Sequence, residues 1–205
     1  MTSERVHYDD PLRLTLRSTV RRHGHLRGAP SVVLDRTVFY PESGGQLGDT
    51  GTLSATDGLD PVRVRDVQLD EAGEVHHLVE GEPPPVGATV MGRVDEARRR
   101  QHMALHTAQH ALSRALLDHL GAVTLSSRLG ASGCTIDVDR AGLTREALRP
   151  VEDAVHALID EDRPVRQHFP DAAQLAALDL RKPPPATERV RVVDIEGFDV
   201  TPCGG

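Results

Sequence analysis

Apolar and polar residues alternate in several short runs across the first ninety positions. Residues 13–20 alternate, 32–39 do so more loosely, and 61–69 (PVRVRDVQL) alternate cleanly. A period of two sends successive side chains to opposite faces, so each run predicts a half-buried β-strand. Turn signals separate the runs: His23-Gly24, Gly28-Ala29-Pro30, the stretch 41–51, Asp57-Gly58 and Glu71-Ala72-Gly73. Short strands at this spacing predict a small barrel or sandwich. A Pro/Gly-rich passage at 81–87 then marks a candidate domain boundary.

From about 95 to 120 the period lengthens. Met103, His106, His110, Leu112, Ser113, Leu116 and Leu117 recur at helical steps, and Gly121 stands where a C′ glycine would end the helix. Beyond it the pattern predicts a strand at 134–138, a helix at 144–161 with Thr144 as N-cap, a short helix at 171–178, a loop at 182–186 (KPPPA) and a strand at 189–195. No internal repeat is visible. Strands followed by a mixed helix–strand region predict an α+β fold: a small barrel over 1–90, then a second domain over 91–205.

Composition adds little to that outline and removes some alternatives. Hydrophobic residues are 38% and charged residues 27% of the 205, as in soluble globular proteins. No run approaches the roughly 18 apolar residues of a membrane span. No apolar stretch follows the first charges, so no signal peptide is expected and a cytoplasmic location is. Two cysteines, Cys134 and Cys203, cannot make a disulfide framework; a metal ligand or a buried thiol fits them better. The net charge of −7 argues mildly against a nucleic-acid partner. Its distribution argues the other way. Arg93, Arg98, Arg99, Arg100, Arg114 and Arg128 fall in one stretch with few acids. They form either a phosphate-contacting cluster or a solvated helix face.

Three segments carry candidate chemistry. His106-Thr107-Ala108-Gln109-His110 puts two imidazoles at i and i+4, about 5–6 Å apart at Cβ, which lets both reach one zinc ion. With 11 histidines in the chain, such a pair taken alone is a weak signal. His102 extends the row by one turn, as a third ligand, a phosphate contact or an exposed helix residue. Thr107 stands where a metalloprotease helix needs its glutamate base, which excludes that chemistry. Cys203-Gly204-Gly205 offers a thiolate beside two flexible residues. Residues 39–51 (FYPESGGQLGDTG) form a loop with four glycines, longer than a hairpin turn needs.

In order and content these segments resemble the editing domain of alanyl-tRNA synthetase and its free-standing relatives, the AlaX proteins. Lesser matches lie between them: Glu74-Val75-His76-His77, the Arg98–Arg100 run, Thr135-Ile136-Asp137, and residues 191–195 (RVVDI) before the cysteine. The resemblance covers the chain from about residue 30 onward, and the glycine-rich loop makes it look like the medium-length AlaX type. It implies an N-terminal β-barrel followed by an α/β two-layer editing domain whose helix carries the HxxxH motif. It implies a Zn2+ site with His106, His110 and Cys203 as ligands. In that family a histidine of a CGGTH-like segment is the fourth ligand, and this sequence ends at Gly205, two residues before that position. The expectation is therefore a C-terminally incomplete editing domain, or a three-ligand site with an open position. The resemblance also marks Thr37 and Gln46 as catalytic positions and Gly44, Gly45 and Arg128 as substrate-binding ones. Arg128 either contacts the tRNA 3′ end or faces solvent. The implied activity is hydrolysis of mischarged aminoacyl-tRNA, Ser-tRNA(Ala) first and Gly- or Ala-tRNA next, with the acceptor end of alanine-specific tRNA as partner and no ATP binding. The Thr37 hydroxyl is the feature expected to favour serine over alanine. Zinc is left with three roles: activating water, polarising the carbonyl, or holding the substrate. The alternative is a non-catalytic tRNA- or zinc-binding relative.

Overall fold

The structure is a computed structural model and describes residues 2–55, 60–130, 133–187 and 189–204. The predicted Asp57-Gly58 turn and Gly205 lie outside the described residues. The strands are β1 Glu4–Arg5, β2 Thr15–Leu26, β3 Ala29–Leu34, β4 Arg36–Thr37, β5 Gly51–Ala55, β6 Val62–Leu69, β7 Val75–Glu80, β8 Thr89–Val94, β9 Thr124–Leu129, β10 Cys134–Val138, β11 Val165–His168, β12 Val192–Ile195 and β13 Asp199–Pro202. The helices are α1 Glu96–Leu120, α2 Arg145–Asp160 and α3 Ala172–Ala177. Among the described residues no helix is long and apolar enough to cross a membrane.

The chain divides into two compact units, one of residues 1–43 and 47–102, the other of 44–46 and 103–205. In the first, six strands close a barrel in the order β2-β3-β7-β6-β5-β8. Alternation turns Leu16, Val20, Val32, Leu34, Leu53, Val64, Val67, Val75, Val79, Val90 and Val94 into one buried cluster with Phe39. The passage 81–87 connects two neighbours in chain order, β7 and β8, and the division between units falls at 102/103. The predicted His23-Gly24 turn is strand instead: both residues lie inside β2. A Cβ at Gly24 would meet His76 and Ser31 at 3.1 Å, so packing accounts for that glycine.

In the second unit β9 and β10 form an antiparallel pair, and β11, β12 and β13 form a separate three-stranded antiparallel sheet. Ala115 and Leu116 of α1 pack with Val151 of α2, and Ile136, Val138 and Phe198 close around them. Helix ends follow the local chemistry. Thr144 Oγ1 accepts from Ala147 N–H at 3.2 Å, and Asp171 and Gln174 make a reciprocal capping box. Gly121, at φ +62°, stops α1, with its N–H on Leu117 O and that of Ala122 on Leu116 O.

The arginine run does not form one phosphate-facing surface. Successive helical residues point about 100° apart, so Arg98, Arg99 and Arg100 go three ways. Arg98 Nε donates to Gly48 O, and Arg100 pairs with Glu96. Arg99 is buried, with its guanidinium on Asp49 and on the carbonyls of Pro11 and Val38. Arg114 pairs with Asp118.

Candidate metal centre

α1 presents His106 and His110 one turn apart, with parallel rings whose centroids are 5.0 Å apart. Strand β13 runs out into Cys203, whose N–H donates to Arg191 O at 2.9 Å. That bond holds the thiol beside the helix: Cys203 Sγ lies 3.2 Å from His106 Nε2. One ligand atom from each of His106, His110 and Cys203 falls within 4.8 Å of the others. Ligands around a tetrahedral zinc, at bond lengths of about 2.0–2.3 Å, sit about 3.3–3.8 Å apart, so contraction by about 1 Å brings these three atoms to three of the four positions. His102 is not in this group; it is buried beside Asp49 and Arg98 charges.

The protonation of the site suits a metal. Burial, with the charges of Arg191 and Lys182 adding to it, pushes the His106 pKa down to about 4. Burial also lowers that of His110, against an opposing pull from Cys203. Both imidazoles are therefore neutral at pH 7 and carry a free lone pair, as ligation requires. The Nε2 of His110 is buried and makes no hydrogen bond of ordinary geometry, and the Cys203 thiol is the polar side chain that bears on the ring. A buried nitrogen so placed suits a ligand. The donor set of two imidazoles and one thiolate matches zinc.

Gln46 completes the arrangement around His106. Its side-chain carbonyl Oε1 lies 2.7 Å from His106 Nδ1, which must therefore donate, leaving Nε2 as the lone-pair nitrogen beside Cys203. Gln46 is buried, with its carbonyl against the His106 ring. Its place follows from the glycine before it. Gly45, at φ +85°, lets the loop lie against β9 so closely that a Cβ would stand 2.1 Å from Ser127 O. Leu129 N–H then donates to Gly45 O at 2.8 Å, and Gln46 bridges to Leu129.

The other expected site residues are not members of this group of ligand atoms. Gly44 is exposed at φ +57°, and Arg128 is exposed on β9 opposite Thr135. Thr37 is 1% exposed in the barrel unit. His77 Nδ1 faces Val32 O at 3.0 Å and so carries the proton; the Thr37 hydroxyl donates to His77 Nε2 at 2.8 Å. That hydroxyl also accepts from Phe39 N–H at 3.0 Å.

Two further residues escaped the reading of the sequence. Asp199 and Arg181 are buried together, with Arg181 Nε donating to Asp199 Oδ1 at 2.8 Å, and both approach His110. Part of this was available in the sequence: Asp199, Thr201 and Cys203 are spaced by two, so a strand there puts them on one face. The place of Arg181, after a proline-rich loop, had no such signal.

The family model for class II (A) tRNA synthetases matches residues 17–98. The alanine–tRNA ligase of Methanopyrus kandleri is 35% identical over 211 residues, covering 99% of this chain and 23% of the ligase. That of Halorubrum lacusprofundi is also 35% identical, over 99% of this chain and 22% of the ligase. The alanyl-tRNA editing protein AlaX-L of Pyrococcus horikoshii is 33% identical over 206 residues, 98% of this chain and 50% of AlaX-L. The chain thus spans half the length of AlaX-L and under a quarter of the ligases it matches. It contains, in order, the loop, helix and cysteine just described, and nearly all of it is homologous to part of an alanyl-tRNA editing protein.

Proposed function

We propose that this chain hydrolyses the ester linking a wrong amino acid to tRNA for alanine, at a zinc ion held by His106, His110 and Cys203. The observation that carries the reading is the convergence of those three side chains within 4.8 Å, in a chain similar to an alanyl-tRNA editing protein over nearly all its length. Zinc bound there supplies a Lewis acid that lowers the pKa of water or polarises the ester carbonyl.

The chain's own residues prepare the site. Burial keeps both imidazoles neutral, and Gln46 aims Nε2 of His106 at the cluster. Lys182 and Arg191 set positive charge near His106, which favours an anionic substrate such as an RNA end. Serine is the amino acid proposed first, with glycine and alanine beside it, and the reaction is placed in the cytoplasm.

The test measures bound zinc and amino-acid release from purified Ser-tRNA(Ala). About one zinc per chain and serine release that stops in His106→Ala and Cys203→Ala are expected. Zinc-loaded protein that binds the tRNA and releases no amino acid would sink the deacylase reading and leave a non-catalytic binder.

A further inference from the structure

Both ligand histidines need their second ring nitrogen settled before the first can face a metal. For His106 the Gln46 carbonyl settles it. His110 has a different environment. Its Nδ1 lies 3.2 Å from Arg181 Nη2 and 3.8 Å from Asp199 Oδ2. A guanidinium only donates, so the nearer contact makes Nδ1 the acceptor and puts the imidazole proton on Nε2. That is the tautomer that cannot ligate through Nε2. Asp199 Oδ2, meanwhile, is buried on a side chain only 1% exposed and has no hydrogen-bond partner among the described residues. Asp199 Oδ2 is thus the unsatisfied atom beside Nδ1, while the Cys203 thiol is the hydrogen-bonding neighbour of the ring on its other side. The 3.8 Å from Nδ1 to Oδ2 is too long for a hydrogen bond; with the proton on Nδ1 and Arg181 Nη2 turned off the ring, an approach of about 1 Å makes one. His110 then gives Asp199 its missing donor and frees the Nε2 lone pair toward Cys203.

We propose that Asp199 is the positioning residue for His110, accepting the Nδ1 proton through Oδ2, and that Arg181 holds the carboxylate in place through Oδ1. The inference rests on the metal reading of the site. The geometry supports the division of labour. Asp199 and Cys203 share a face of the segment that begins as β13, so the same strand supplies a ligand and the support for a second ligand. Arg181 is fixed on that strand by its own N–H, which donates to Val200 O at 3.0 Å. The Nε–Oδ1 bond of 2.8 Å fixes the orientation of the carboxylate and leaves Oδ2 toward the ring.

The test combines a tautomer measurement with metal affinity, on the intact chain. In 15N-histidine NMR spectra of the zinc-loaded wild type, His110 is expected as the Nδ1–H tautomer. Asp199→Asn, confirmed folded by circular dichroism, is expected to bind zinc 10–100-fold more weakly in chelator competition. The amide that replaces the carboxylate cannot accept from both His110 and Arg181. Cobalt substituted for zinc is expected to show an altered absorption spectrum in the variant. An Nε2–H tautomer of His110 in the zinc-loaded wild type overturns the proposal, whether or not the variant folds. Zinc affinity of folded Asp199→Asn within twofold of wild type overturns it too, while leaving the metal reading intact. A wild-type chain that binds no zinc overturns the metal reading and this inference together.

Discussion

At the scale of single residues, Gln46 and Thr37 have different fates. Gln46 Oε1 is the acceptor that fixes the His106 tautomer. Gln46→Leu keeps the bulk and removes the acceptor, so zinc affinity should fall about 10–100-fold with little change in thermal midpoint, measured by chelator competition beside a melt. Thr37 bonds His77 and Phe39 N–H inside the barrel. Thr37→Val leaves two buried polar groups short of a partner and should cost about 1–3 kcal/mol in urea unfolding. Unchanged stability together with lost preference for serine would show that the hydroxyl serves the substrate instead. Thr37 and Gln46 both stood out in the sequence as members of one motif. What each hydrogen-bonds was not legible there, because the partners lie 40 and 60 positions away.

At the scale of elements, the glycine-rich loop is where backbone geometry matters most. Gly44 and Gly45 both have positive φ, yet only Gly45 has backbone in the space a side chain would take. Gly44→Ala should cost about 1–2 kcal/mol for the left-handed conformation and leave zinc binding unchanged. Gly45→Ala forces the loop off β9, because a Cβ cannot stand 2.1 Å from Ser127 O. It should break the Gln46 contact and weaken zinc binding as Gln46→Leu does. The two variants compared by melts and chelator competition check this; equal zinc affinity would refute it. The helices were legible almost to the residue, since period and C′ glycine agree for α1, and period and N-cap for α2. Strands β9, β11 and β13 were not read. They are short, four to six residues each, so little alternation marks them.

At the scale of the whole molecule, pH and metal act on stability through buried histidines. His77 is held by burial at a pKa of about 4, against an ordinary value of 6.5. Between pH 6.5 and 4 the unfolded chain takes up this proton and the folded chain does not, so stability falls on acidification and is flat above that window. The His77 contribution across the window is about 3 kcal/mol. His77→Gln should lessen the dependence of the urea midpoint on pH between 4 and 6.5, leaving the share of His106, although it lowers the midpoint at pH 7. Zinc should act in the opposite sense. At 100 times its dissociation constant it should stabilise the protein by about 2.7 kcal/mol, and excess chelator should reverse the shift in the melt.

The sequence by itself determined the helices, most strands in order and a plan of strands followed by a mixed region; the barrel and the three ligand candidates came with the family resemblance. The first group rests on local information: a period of two or 3.6, a cap, a C′ glycine. Tertiary structure decided that Gln46 bonds Nδ1 of His106, that Asp199 and Arg181 lie beside His110, and that the arginine run is dispersed and partly buried. The physical reason is the same in each case. A hydrogen bond or ion pair is set by distances of a few ångströms between residues far apart in the chain, and periodicity along the chain holds no record of them.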